Sequence, residues 1–244
     1  MGHDKGMQVP ENPQPLEGRR QNPCSPDRPE WSKLIAMSLP SPELRALLDA
    51  TLAFYDGRAE AFWAATRDHD VAQNREAVLS ALGPGGPWTL LDLGCGPGRD
   101  LKAFAEMGHR AIGVEGAGRF VAMARAHSGC EVWQQDFLAL DLPAAFFDGI
   151  YANASLFHVP RGTLPSVLGR LRRALRAGGV FFASNPRGQG EEGYRDGRYG
   201  VLYDWPGWRD VVSGAGFEEL SHYYRPAGKP VEEARWIASV WRKA

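Results

Sequence analysis

The chain has 244 residues, 28 basic and 29 acidic side chains, a formal net charge of −1 and 43% hydrophobic residues. That balance suits a globular protein and gives no general attraction for a polyanion, so a nucleic-acid partner would need a local basic patch. Cys24, Cys95 and Cys130 lie too far apart for a disulfide framework or a metal-ligand pair, which points to a reducing, cytoplasmic setting, and no run approaches the ~20 apolar residues that cross a bilayer.

Residues 1–40 read as a polar leader rich in proline (Pro10, Pro13, Pro15, Pro23, Pro26, Pro29) without a secretory apolar core. Trp31, Leu34, Ile35, Met37 and Leu39 are its apolar exception and could dock on the body. One domain is expected over 41–244, with a helical cap over 41–87 and an α/β core over 88–244.

Ser41-Pro42-Glu43 is a helix-start signal, and Leu44, Leu47, Leu48, Thr51, Leu52 and Tyr55 follow at helical spacing. Arg58 to Trp63 and Asn74 to Leu82 read as further helix. Gly83-Pro-Gly-Gly-Pro87 is a loop leading into an apolar strand, Leu90 to Leu93. Strands are then predicted over 111–115, 131–135, 147–152 and 180–184, alternating with helices over 100–107, 120–127 and 164–176. A short helix over 208–213 and two antiparallel closing strands, 217–224 and 237–241, end the chain. Alternation of this kind implies a doubly wound, mostly parallel sheet with helices on both faces.

The strand ending at Leu93 breaks into Gly94-Cys95-Gly96-Pro97-Gly98 before a helix begins. Glycine lets a backbone approach a nucleotide-like ligand closely and adopt positive φ. A dinucleotide fingerprint, G-x-G-x-x-G, would put its third glycine at position 99, where this chain has Arg99. Glu115 closes the next strand, 21 positions after Gly94. A carboxylate there offers two acceptors to ribose hydroxyls.

Asp92-Leu-Gly-Cys-Gly-Pro-Gly98 resembles the first motif of the class I, Rossmann-like S-adenosylmethionine-dependent methyltransferases. The resemblance implies a seven-stranded sheet with an antiparallel last strand and S-adenosyl-L-methionine as cofactor; no His, Asp or Glu cluster has metal-ligand spacing, so no metal is expected. The resemblance also implies a cofactor site of Tyr55, Asp92, Gly94, Cys95, Gly96, Gly98, Glu115, Asp136, Phe137 and Asn153. Asp136 would meet the adenine amino group, with Phe137 against the ring and Tyr55 near the methionine portion. A turn-capping role for Asp136 and a plain core role for the aromatics Phe54, Tyr55, Phe62 and Trp63 are the alternatives. Asn153 and His158, the candidate catalytic residues, lie at the end of the fourth core strand and just after it, at the carboxyl edge where open α/β sheets bind ligands. His158 is either a general base or a structural histidine.

The stretch Asn185 to Tyr203 reads as a long, mobile substrate loop. Arg187, Arg195 and Arg198 suit an anion, and Tyr199, Tyr203 and Tyr223 suit a flat or cationic group, unless they are ordinary surface residues. Together these imply methyl transfer to a small polar metabolite, with a nitrogen or sulfur nucleophile favoured and an imidazole or amino-acid derivative as an example. A natural-product or xenobiotic oxygen nucleophile is the alternative within enzymes. A non-catalytic module that senses S-adenosylmethionine is the alternative outside them. No nucleic-acid or membrane partner is expected, and the sequence leaves the oligomeric state open.

Overall fold

A computed structural model describes residues 41–244. The leader over 1–40 and its apolar cluster lie outside the described residues.

Three helices come first: α1 (Pro42–Asp56), α2 (Ala59–Thr66) and α3 (Ala72–Leu82). Ser41 caps α1, its hydroxyl accepting from the Leu44 N–H at 3.2 Å. The core runs β1 (Thr89–Leu93), α4 (Arg99–Glu106), β2 (Arg110–Glu115), α5 (Gly118–Ser128), β3 (Glu131–Gln134), β4 (Phe147–Asn153), α6 (Leu164–Ala174) and β5 (Leu175–Pro186). It continues through β6 (Glu192–Arg195), β7 (Arg198–Val201), α7 (Trp205–Gly214), β8 (Phe217–Arg225) and β9 (Trp236–Lys243).

Seven strands form one sheet in the order β3-β2-β1-β4-β5-β9-β8. The first five pair in parallel, and β9 runs antiparallel to both β5 and β8. This is the doubly wound, mostly parallel seven-stranded sheet expected from the sequence, with an antiparallel strand and helices on both faces. From β1 the chain moves outward through β2 and β3, then returns to place β4 on the other side of β1. The order therefore reverses between β1 and β4, and their carboxyl ends open a crevice there.

The central strands are apolar on both faces because both faces are covered. Leu91, Ile150, Phe181 and Trp241 pack toward α6 and α7, with Leu168, Leu171, Trp208 and Val212. Their strand neighbours Leu90, Tyr151, Phe182 and Val240 pack toward α3, α4 and α5, with Val78, Phe104 and Val121. Period-two side-chain alternation thus feeds two cores from one sheet.

The sequence misses one feature that matters for the site. Residues 185–203 are not a uniform loop: β6 and β7 form an antiparallel hairpin, with Arg195 and Arg198 paired across its tip. Their Asp196-Gly197 turn has φ of +50° and +81°, the backbone that an Asp-Gly pair tolerates in a two-residue hairpin. Two boundaries also shift. β5 begins at Leu175, through a register shift against β4. α7 begins at Trp205, where the Asp204 carboxylate caps the Gly207 N–H at 3.0 Å.

Candidate active site

The glycine turn leaves β1 and is clipped to β2. The N–H groups of Gly94 and Cys95 donate to the Val114 carbonyl at 2.7 and 3.1 Å. That clip brings Glu115, the next residue of β2, directly beneath the turn. Its Oε2 accepts from Gly96 N–H at 2.9 Å, and its Oε1 accepts from Gly116 and Ala117 N–H at 2.8 and 2.9 Å. Burial pushes the Glu115 carboxyl up, and the three backbone donors pull it back toward the charged form. Gly96 has a φ of +53° with open space where a Cβ would stand. Gly98 ends the turn at φ +91°, and a Cβ there would meet the Ala124 backbone at 2.9 Å, so glycine lets α4 approach α5 closely.

The turn opens on a cavity of about 830 Å³. That is within the range of small-ligand pockets, on the order of 300–1,000 Å³. Of the residues read from the sequence, Tyr55, Asp92, Gly94, Cys95, Gly96, Glu115, Asp136, Phe137, Asn153, His158, Arg195, Arg198 and Tyr199 line it. Gly98, Arg187, Tyr203 and Tyr223 are not among its lining residues. The Arg187 guanidinium bonds the Val231 carbonyl instead. Tyr203 is 1% exposed and packs edge-on against Trp208 in the core. Tyr223 stands one step behind the wall, its hydroxyl donating to Asn74 Oδ1 at 2.9 Å.

Asn74 is fully buried and joins that step to the cavity. Its amide donates to Asn153 Oδ1 at 2.9 Å, and the Asn153 amide donates to Asp100 Oδ2 at 3.2 Å. Asp100 also carries two guanidinium groups, Arg75 at 2.6 Å and Arg99 at 2.8 Å. The Asn153 side chain is therefore fixed by α3 and α4. Asp92, buried beside Asp100, is held well above the usual carboxylate range by burial and then by that neighbouring charge.

Asp136 does two things. Its Oδ1 caps the turn that follows β3, accepting from Leu138 and Ala139 N–H at 2.8 and 3.1 Å, and its Oδ2 pairs with Arg45 of α1 at 2.7 Å. His158 is buried with both ring nitrogens engaged. A carbonyl can only accept, so the 2.5 Å contact to the Tyr199 carbonyl puts the proton on Nδ1. Nε2 then accepts from the Tyr55 hydroxyl at 2.7 Å. Burial lowers the His158 pKa to about 4.

That value yields a stability prediction. Between an ordinary histidine pKa near 6.5 and about 4, the unfolded chain takes a proton that the folded chain refuses. Stability from this group is complete above that window and is lost as pH falls through it, by up to roughly 3 kcal/mol. Urea melts taken at about pH 7 and about pH 5 should differ less for His158→Gln than for the unmodified chain. Equal differences would show that His158 does not stay neutral in the fold.

The sequence reading does not single out Arg45, Arg99, Asp100, Phe120 or Phe157 as site residues. Arg45 pairs with cavity-lining Asp136, and the others line the cavity themselves. Phe120 had a readable signal, five positions after Glu115 in the first turn of the next helix. Among the described residues, no group of three or more His, Cys, Asp or Glu side chains is placed to hold a metal, and no helix is long and apolar enough to cross a membrane.

A glycine turn and an acidic strand end thus meet at the switch point of a seven-stranded sheet, the place where open α/β sheets bind ligands. Residues 90–179 match the family described as a methyltransferase domain. Over that stretch the chain is similar to methyltransferases. It is 37% identical over 125 residues to 24-methylenesterol C-methyltransferase 2 of Oryza sativa subsp. japonica, covering 48% of this chain and 32% of that protein. It is 33% identical over 130 residues to trans-aconitate 2-methyltransferase of Azoarcus sp. (strain BH72), covering 52% and 49%. The matches thus span about a third to a half of these curated relatives. Among solved structures, the Burkholderia thailandensis 1,6-didemethyltoxoflavin-N1-methyltransferase, holding 1,6-didemethyltoxoflavin and S-adenosylhomocysteine, superposes with a TM-score of 0.68 at 22% identity, covering 85% of this chain and 92% of that one. The [4+2]-cyclase SpnF superposes at 0.63 with 18% identity, covering 78% and 94%. Structural likeness at these identities carries the fold alone.

Proposed function

We propose that the protein is an S-adenosylmethionine-dependent methyltransferase acting on a small polar metabolite through a nitrogen or sulfur nucleophile. The observation that carries this reading is the Glu115 carboxylate held under the glycine turn at the floor of the cavity. Gly96 and Glu115 fit the adenosyl end: an uncrowded backbone at Gly96 and an acceptor with lone-pair capacity left on Oε2. Asp136 and Phe137 fit the adenine edge and face, and Asn153 with Arg99 and Asp100 fit a zwitterionic amino-acid end. When bound, S-adenosylmethionine supplies a methyl group already electrophilic on a sulfonium sulfur. The chain then has to orient an acceptor in line with that carbon and exclude water, work that can be worth up to ~7–11 kcal/mol.

His158 serves here as a positioning residue: with Nε2 bonded by Tyr55 and a pKa near 4, it fixes Tyr55 on the cavity wall and is a poor base at neutral pH. An acceptor that arrives unprotonated, such as a neutral imidazole nitrogen, suits such a wall. The test is methyl transfer from S-adenosylmethionine to a pool of small metabolites, read as S-adenosylhomocysteine release. Binding of S-adenosylhomocysteine with no release on any pool would favour a sensor, or a different chemistry on the same fold.

A further inference from the structure

Arg198 opens β7 and lines the cavity half-buried. Its guanidinium lies over the rings of Phe54 and Tyr55, 5.2 and 5.8 Å from their centroids. One of its five N–H groups is used, Nη1 donating to the Tyr55 hydroxyl at 3.2 Å. Among the described residues, no carboxylate pairs with it. Arg99, on the same cavity wall as Asn153, is by contrast neutralised by Asp100.

Directly across the hairpin, in register with Arg198, stands a second cavity-lining cation, Arg195, which also has no carboxylate partner among the described residues. Like charges opposite each other on a hairpin destabilise it. Asp196 at the tip lines the cavity too, yet forms an ion pair with neither. A half-desolvated guanidinium with an apolar underside and a free fork is shaped for a planar carboxylate, which accepts two parallel N–H bonds. The residues that fit the adenosyl group ride on the β1 turn, β2 and the turn after β3, whereas this cation pair rides on the hairpin outside the main sheet.

We propose that Arg198, backed by Arg195, grips a carboxylate of the methyl acceptor. The acceptor is then a small organic acid whose nitrogen or sulfur nucleophile lies elsewhere in the same molecule. This rests on the methyltransferase reading.

The full chain is incubated with methyl-labelled S-adenosylmethionine and a small-metabolite extract, and the labelled product is tested for a free carboxylate by carbodiimide amidation and mass. The expected product is amidated. With that acceptor, Arg198→Met should raise KM by about tenfold to a hundredfold while kcat changes little, and Arg198→Lys should lie between. S-adenosylhomocysteine affinity, which also reports that the variants fold, should stay unchanged in both. A labelled product without a carboxylate, including one held only by a phosphate, overturns the proposal. So does an unchanged KM, or an S-adenosylhomocysteine affinity that falls in parallel and so puts Arg198 on the cofactor. No label transferred by the unmodified chain would instead sink the methyltransferase reading itself, and this inference with it.

Discussion

Glu115→Ala is expected to weaken S-adenosylhomocysteine binding by about 1–3 kcal/mol, roughly fivefold to over a hundredfold in Kd, through lost charge-assisted hydrogen bonds to the ribose. The structure adds a second effect that a purely ligand-facing glutamate would not have. The Glu115 carboxylate accepts from Gly96, Gly116 and Ala117 N–H. Alanine would leave three donors around a site that is 8% exposed. Each orphaned buried donor costs about 1–3 kcal/mol unless water reaches it, so a stability loss on the order of 2–4 kcal/mol should accompany the lost affinity. Glu115→Gln separates the two effects in part, because its carbonyl oxygen still serves one cluster of donors while its amide must face the other. Calorimetry and denaturation on the same preparations would check both. A variant with weakened binding and unchanged stability would mean that the three backbone bonds contribute nothing to the fold.

Gly94→Ala should be the more damaging of two single-methyl additions to the turn. Gly94 has φ +72°, and its added Cβ would stand 2.5 Å from the Ser155 Cβ and 3.1 Å from the Phe137 ring. Ser155 cannot retreat easily, because it is buried and its hydroxyl donates to the Leu93 carbonyl at 2.7 Å. Left-handed backbone strain and a clash of this depth together should remove at least about 2 kcal/mol of stability and displace Phe137 from the cavity wall. Gly96→Ala carries the strain at φ +53° without the clash, since nothing crowds its Cβ. It should cost about 1 kcal/mol of stability, with its larger effect on ligand affinity. Adding Ser155→Gly to Gly94→Ala should recover the steric part of the loss and leave the strain. Melting temperatures for the three variants decide this; equal losses at Gly94 and Gly96 would refute the assigned contact.

The parts of this site that could be read from the residues are those fixed by local geometry. A glycine turn between an apolar strand and a helix, and an acidic residue one βαβ unit later, are short-range patterns. The chain clips the turn to β2 through Val114. The rest depends on long-range packing. Arg45 and Asp136 are 91 positions apart in sequence, and His158 meets the Tyr199 carbonyl 41 positions on. No periodicity announces such pairs. The hairpin was hidden because Gly193 and Gly197 look like mobile-loop residues, although Gly197 supplies the positive φ that a tight turn requires. Tyr203 looked like a ligand contact because it ends a polar stretch. Its ring is instead held in the core beside Trp208, where burying a large aromatic outweighs a hydroxyl left without a partner among the described residues. Arg187 and Tyr223 bond backbone and buttress, respectively, behind the wall.

Isothermal titration of the unmodified chain with S-adenosylhomocysteine, run beside NAD, tests the central claim most directly. A single site for S-adenosylhomocysteine in the micromolar range or tighter, with no heat from NAD, is the result expected from a glycine turn that carries Arg99 in place of a third dinucleotide glycine. Saturable binding of NAD with none of S-adenosylhomocysteine would contradict the account.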